Sequence, residues 1–157
     1  MKPFKRILAP VDGSAPSRAG LERAIAFAKS PGARLRLVHV VDSGSIMRGT
    51  VEPSVNVGPL LDMLEKEGRR ILASAEAVAR KGGVRADTVL HEGHLGPVAE
   101  RIVREAAKWR ADVIVMGTHG RRGFGRLVMG SDAESVLRES RMPVLLVKAR
   151  RGKKRRA

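Results

Sequence analysis

The chain is 157 residues long and strongly basic, with 31 Lys and Arg against 16 Asp and Glu, a net charge of +15. It has no Cys, no Tyr, three Phe and one Trp, which rules out disulfides and thiol chemistry and leaves too few rings for a stacked-base platform for single-stranded nucleic acid. The length predicts one domain. No stretch is apolar enough to cross a bilayer and no charged-then-apolar leader is present, so a cytoplasmic protein without membrane insertion is expected.

Ile7-Leu8-Ala9 reads as a short buried strand ending at Pro10-Val11-Asp12-Gly13. Ser14 is placed to cap the next helix, with Pro16 in its first turn. Leu21, Ala24, Ile25 and Ala28 recur at helical spacing, and Ser30-Pro31-Gly32 ends that helix. Leu35 to Val41 is a β-branched run and a second strand. Residues 42–59 hold Gly44, Gly49, Pro53, Gly58 and Pro59 without periodicity, which predicts a long loop able to act as a lid. From Leu60 onward, Leu61, Leu64, Ile71, Leu72, Ala75, Val78 and Ala79 form one helical stripe, closed by Arg80-Lys81 and Gly82-Gly83.

Val84 to Leu90 reads as a third, weaker strand. Gly96-Pro97 opens a helix whose face is Val98, Ile102, Ala106 and Trp109, and Val113 to Met116 is a fourth strand. Ser131-Asp132-Ala133-Glu134 has the S-x-x-E form of a capping box, so a helix starts there. Pro143 leads into a fifth strand, Val144 to Val147. The domain spans 1–149, and residues 150–157 are a basic tail expected to be disordered. Taking its six cations from +15 leaves +9 on the remainder, so the basic excess is not confined to the tail.

Strands alternating with helices imply a single, doubly wound, five-stranded parallel sheet with helices on both faces. Ligands of such sheets bind at the carboxyl ends of the strands flanking the switch in strand order. Two segments qualify: Pro10 to Ser14 after the first strand, and Gly117 to Ser131 after the fourth. The second holds five glycines before Ser131 and three arginines, Arg121, Arg122 and Arg126. Glycines allow close backbone approach to an anion, and a helix N-terminus offers it unpaired N–H groups. The segment after the first strand lacks G-x-G-x-x-G, which disfavours the dinucleotide fold. Gly125 to Ser131 has P-loop spacing, but Ser131 stands where that motif needs Lys.

The spacing Gly117-x2-Gly120-x9-Gly130-Ser131 remains. Together with Pro10-Val11-Asp12-Gly13-Ser14, Val38-His39-Val40, Gly93 to Pro97 and Met142 to Val147, it resembles the universal stress protein family from about Lys5 to Lys148. The resemblance implies a Rossmann-like sheet of the adenine nucleotide alpha hydrolase-like kind. It also implies a homodimer formed through the last strand, Val144 to Val147, and binding of ATP, with Mg2+, or of another adenine nucleotide. Pro10, Asp12 and Val40 would match adenosine contacts. Met116, Gly117, Gly120, Gly130 and Ser131 would match the ribose and phosphate side, with His119 in the loop and Asp132 beside Ser131 completing the candidate set. Such proteins are regulators of stress survival rather than enzymes with a defined turnover, so catalysis beyond weak ATP hydrolysis is not expected.

The residues also carry other readings. Asp12 either meets the nucleoside or Mg2+, or caps its own turn. A capping box would use Ser131 locally, and Asp132 with Glu134 would repel a γ-phosphate that Arg121, Arg122 and Arg126 attract. Those carboxylates motivate an alternative, a stress protein that binds no nucleotide and works through protein contacts. The charge motivates another, weak and non-specific attraction to nucleic acid or anionic surfaces. His91-Glu92-Gly93-His94 has the H-x-G-H form of nucleotidylyltransferases, but not after the first strand as those enzymes require, and no further ligand nearby completes a zinc set.

Overall fold

The computed structural model describes residues 3–44, 56–94, 96–118 and 129–149. Five strands, β1 (Arg6–Pro10), β2 (Arg34–Asp42), β3 (Ala86–His94), β4 (Val113–Gly117) and β5 (Val144–Val147), form one sheet in the order β3-β2-β1-β4-β5. Every neighbouring pair is parallel. Strand order reverses beside β1, so the switch point lies between β1 and β4, and β3 and β5 are the edges. The expected α/β architecture is therefore present.

Four described helices cover the two faces: α1 (Ala15–Ala28), α2 (Gly58–Lys81), α3 (Val98–Trp109) and α4 (Ser131–Glu139). Strand alternation sends Ile7 and Ala9 to the side of α1 and α2, where Leu21, Ala24, Ile25, Ile71, Leu72 and Ala75 close the core. Leu8, Val38, Ile114 and Met116 point the other way, onto Ile102, Ala106 and Trp109 of α3 and Ala133 and Val136 of α4. Two-sided burial explains why the central strands read as continuous apolar runs. Truncating a fully buried residue such as Ile114 to Ala would cost about 2–5 kcal/mol.

Local signals set several helix ends. Ser14 caps α1, its hydroxyl accepting from the Ser17 N–H at 3.2 Å, with Pro16 in the first turn. Gly82 and Gly83 close α2, and Gly83 has φ +79°. Three boundaries depart from expectation. Asp42 belongs to β2, and Gly58 and Pro59 to the first turn of α2, while residues 45–55 of the expected loop lie outside the described residues. β3 starts at Ala86 and runs on through His94, because β2 continues past a bulge and pairs Asp42 with His94. The H-x-G-H residues are thus strand, not a loop opening a helix. α3 ends on Arg110 in the left-handed region, φ 55°, with its N–H bonded to Ala107 O at 3.0 Å.

One buried charge interrupts the apolar face of α3. Glu105 is 4% exposed. It accepts from Arg36 Nη1 of β2 at 2.9 Å and lies 3.2 Å from His91 Nε2 of β3. The Arg36 guanidinium stacks over Trp109 at 4.7 Å. A carboxylate this deep is tolerated because it is paired and hydrogen-bonded on both oxygens.

Candidate functional site

The carboxyl ends of β1 and β4 lie side by side, since Leu8 pairs with Ile114. Pro10 and Met116 each follow two residues later, and Pro10 is in register with Val38. Val40 and Met129 pack against the cluster that contains Val38 and Met116. The structure therefore brings Pro10, Val40 and Met116 to one apolar shelf at the top of the sheet, on the face covered by α3 and α4.

Asp12 sits in the turn beyond β1, which hydrogen bonds hold on several sides. The Val11 N–H donates to Val38 O at 2.8 Å. His39 Nδ1 lies 2.7 Å from Val11 O; a carbonyl only accepts, so the proton is on Nδ1. The Asp12 N–H donates to Ser17 Oγ at 3.1 Å, and Asp12 Oδ1 accepts from the Ser14 N–H at 2.8 Å. Gly13 takes φ +80°, a left-handed conformation that suits glycine. One Asp12 oxygen thus shapes the turn, as the local reading of this residue expected.

At β4, Met116 is 7% exposed and Gly117 ends the strand. A Cβ on Gly117 would collide with the Pro16 carbonyl group and lie 2.8 Å from the Ser17 nitrogen. This glycine therefore lets α1 pack onto β4, a role its place in the loop motif did not reveal. Thr118 is buried; its N–H donates to Val147 O at 3.0 Å and its carbonyl accepts from the Gly130 N–H at 2.9 Å. The two ends of the glycine segment are thereby tied together over the switch point. His119, Gly120, Arg121, Arg122 and Arg126 lie outside the described residues.

The capping box is not formed. Gly130, extended at φ −63° and ψ 147°, is the N-cap of α4, and no side chain caps this end. Ser131 is the first helical residue, one position too late to serve as cap for Glu134, whose N–H bonds Gly130 O at 3.0 Å. The tie between Gly130 and Thr118 sets this register. The N–H groups of Ser131, Asp132 and Ala133 thus have no acceptor within the helix. Ser131 and Asp132 are exposed, and Asp132 and Glu134 both occupy the first turn. Asp132 also makes an interaction of its own.

Sequence reasoning assigned no positioning role to Thr118, Ser17 or His39, although His39 stands in the Val38-His39-Val40 motif. The Ser14-x-x-Ser17 spacing was the one available signal, because Ser17 folds back to Asp12 only if Ser14 caps α1. Among the described residues no group of three or more His, Cys, Asp or Glu is placed to hold a metal. No described helix is long and apolar enough to cross a membrane.

A family model described as the universal stress protein family matches residues 3–148. A universal stress protein of Methanocaldococcus jannaschii is 36% identical over 145 residues, covering 92% of this chain and 82% of that protein. A universal stress protein family structure from Burkholderia pseudomallei is 36% identical with a TM-score of 0.71, over 90% of this chain and 93% of the other. The universal stress protein of Archaeoglobus fulgidus, solved in complex with dAMP, superposes with a TM-score of 0.67 at 23% identity, over 94% of this chain and 100% of that one. The chain belongs to the universal stress protein family.

Proposed function

We propose that this protein binds an adenine nucleotide, ATP with Mg2+ in the first instance, at the switch point between β1 and β4, and acts as a regulator rather than a catalyst. The observation that carries the reading is the tie between Thr118 and Gly130. It ties the two ends of the glycine segment together above the strand ends, at the N-terminus of α4, whose first N–H groups have no acceptor within the helix. In this reading the base lies on Pro10 and Val40, and Asp12 meets the nucleoside with whatever capacity its turn leaves. Met116, Gly117, His119 and Gly120 flank the ribose and phosphates. Gly130, Ser131 and the first turn of α4 hold the phosphates, with Mg2+ arriving on them. The dAMP complex of the A. fulgidus relative is consistent with the same use of the fold.

Ser131 supports the reading because it is not consumed as a cap. Asp132 and Glu134 oppose it, each adding negative charge where a γ-phosphate would sit. Arg121, Arg122 and Arg126 supply the balancing charge in the same segment. Equilibrium dialysis with labelled ATP and Mg2+ tests the proposal. Saturable binding is expected; a folded protein that retains no ATP at millimolar nucleotide contradicts it and leaves the protein-contact reading, for which Asp132 and Glu134 are the motive.

The dimer is proposed on the position of β5, a short apolar strand at the sheet edge whose outer side has no described neighbour. Sedimentation equilibrium is expected to give twice the chain mass of 17.0 kDa; a monomer at tens of micromolar contradicts it.

A further inference from the structure

We propose that the cleft between α1 and α2 is a second binding site, for a small amphipathic carboxylate. The cleft encloses about 320 Å³, at the lower end of the range for small-molecule sites. It opens on the opposite face of the sheet from α3 and α4. Its floor is apolar: Leu21 of α1 with Ile71, Ala75 and Val78 of α2, all part of or packed on the core of that face. Its lining also includes Val11, Gly13, Ser14 and Ser17, from the turn after β1 and the first turn of α1, and two exposed arginines, Arg18 from α1 and Arg70 from α2.

Neither cation is strongly matched. Arg18 reaches Glu22 only at 3.8 Å, with both side chains mostly exposed. Arg70 makes no ion pair among the described residues. Arg18 is the fourth residue of α1, whose first turn holds no acidic residue. Glu67, the one carboxylate on the wall, is already engaged in another interaction. An apolar slot bordered by two exposed arginines fits a ligand with a hydrocarbon body and a planar anionic head able to accept bidentate hydrogen bonds from a guanidinium. A neutral ligand would make no use of either cation, and a purely ionic one would leave the floor wet.

The test is a 15N–1H titration with sodium octanoate below its micelle concentration, with 1-octanol as the neutral control. Saturable shifts are expected in 13–21 and 67–78, with octanoate binding about tenfold tighter than octanol. Arg70→Glu reverses an exposed charge and should weaken octanoate about tenfold while leaving octanol unchanged. Ser74→Trp, at an exposed position on the rim, should block both ligands. Absence of saturable shifts at millimolar octanoate overturns the proposal, and so does equal binding of octanol and octanoate. An Arg70→Glu variant with an otherwise unchanged spectrum and undiminished octanoate affinity also overturns it. The cleft borders the Asp12 turn through Val11, Gly13 and Ser14 but includes neither Gly130 nor Ser131, so shifts in 67–78 report on it whether or not ATP binds at the switch point.

Discussion

Gly20 of α1 rests directly on the backbone of Gly117 at the end of β4: a Cβ on Gly20 would stand 2.8 Å from the Gly117 nitrogen and 2.9 Å from the Met116 carbonyl carbon. The contact is reciprocal, since a Cβ on Gly117 would strike the backbone of Pro16 and Ser17. Backbone cannot rotate away as a side chain can. Two glycines, 97 positions apart in sequence, therefore fix how closely α1 approaches the switch point and, through Ser14 and Ser17, where the Asp12 turn lies.

Gly20→Ala and Gly117→Ala should each destabilise the fold by about 1–3 kcal/mol, the usual range for overpacking. Because either change parts the same helix from the same strand, the double variant should lose less than the sum. Urea unfolding of the two single variants and the double variant reads this out. Unchanged midpoints would mean that α1 is not held by this contact.

Removing the carboxylate of Glu105 leaves Arg36 partly buried without its closest partner. Glu105→Leu is expected to cost about 3 kcal/mol, mostly as the penalty of a partly buried guanidinium left with Asp87 alone at 3.5 Å. Adding Arg36→Met should recover much of that loss, since an apolar pair of similar volume needs no compensation. A thermal melt of the double variant no better than that of the single one would show that the cluster acts through geometry rather than charge.

Ser14→Ala removes the side-chain acceptor of the Ser17 N–H and should lower stability by about 1 kcal/mol. Arg110→Gly should act in the opposite sense. The left-handed conformation at φ 55° costs any side chain about 1–2 kcal/mol, offset in part by the greater freedom of glycine in the unfolded chain, for a net gain of about 0.5 kcal/mol. Chemical denaturation of both variants checks the pair of signs.

Asp132→Asn takes one negative charge from the first turn of α4 while keeping the side-chain shape. Affinity for ATP should rise about fivefold at low salt, and less in high salt, if the first turn meets phosphate. AMP, which places fewer charges there, should gain less. Equal gains for AMP and ATP in calorimetric titrations would put the γ-phosphate elsewhere.

The parts of this fold legible in sequence are those encoded over a few residues. Ser14 and Pro16 announce the start of α1 because the cap bond spans three positions. The apolar runs announce the strands because both faces are covered. Ser131 was misread as a cap because its register depends on a tertiary bond, Gly130 N–H to Thr118 O, that no local pattern carries. Glu105 carries no local sign of its burial, because its partners lie 69 and 14 residues away. The extension of β3 to His94 was hidden because its Glu, Gly and His are poor strand formers, held there by pairing with β2. Gly117 matched a binding motif, while its packing partner lay in another helix.

The most direct test of the nucleotide site is a 15N–1H map of the protein titrated with ATP and Mg2+. The largest saturable shifts are expected at the amides of Val11 to Gly13 and Ser131 to Ala133, on the two sides of the switch point. Saturable binding whose shifts spare both segments, or no binding at all, would contradict the assignment.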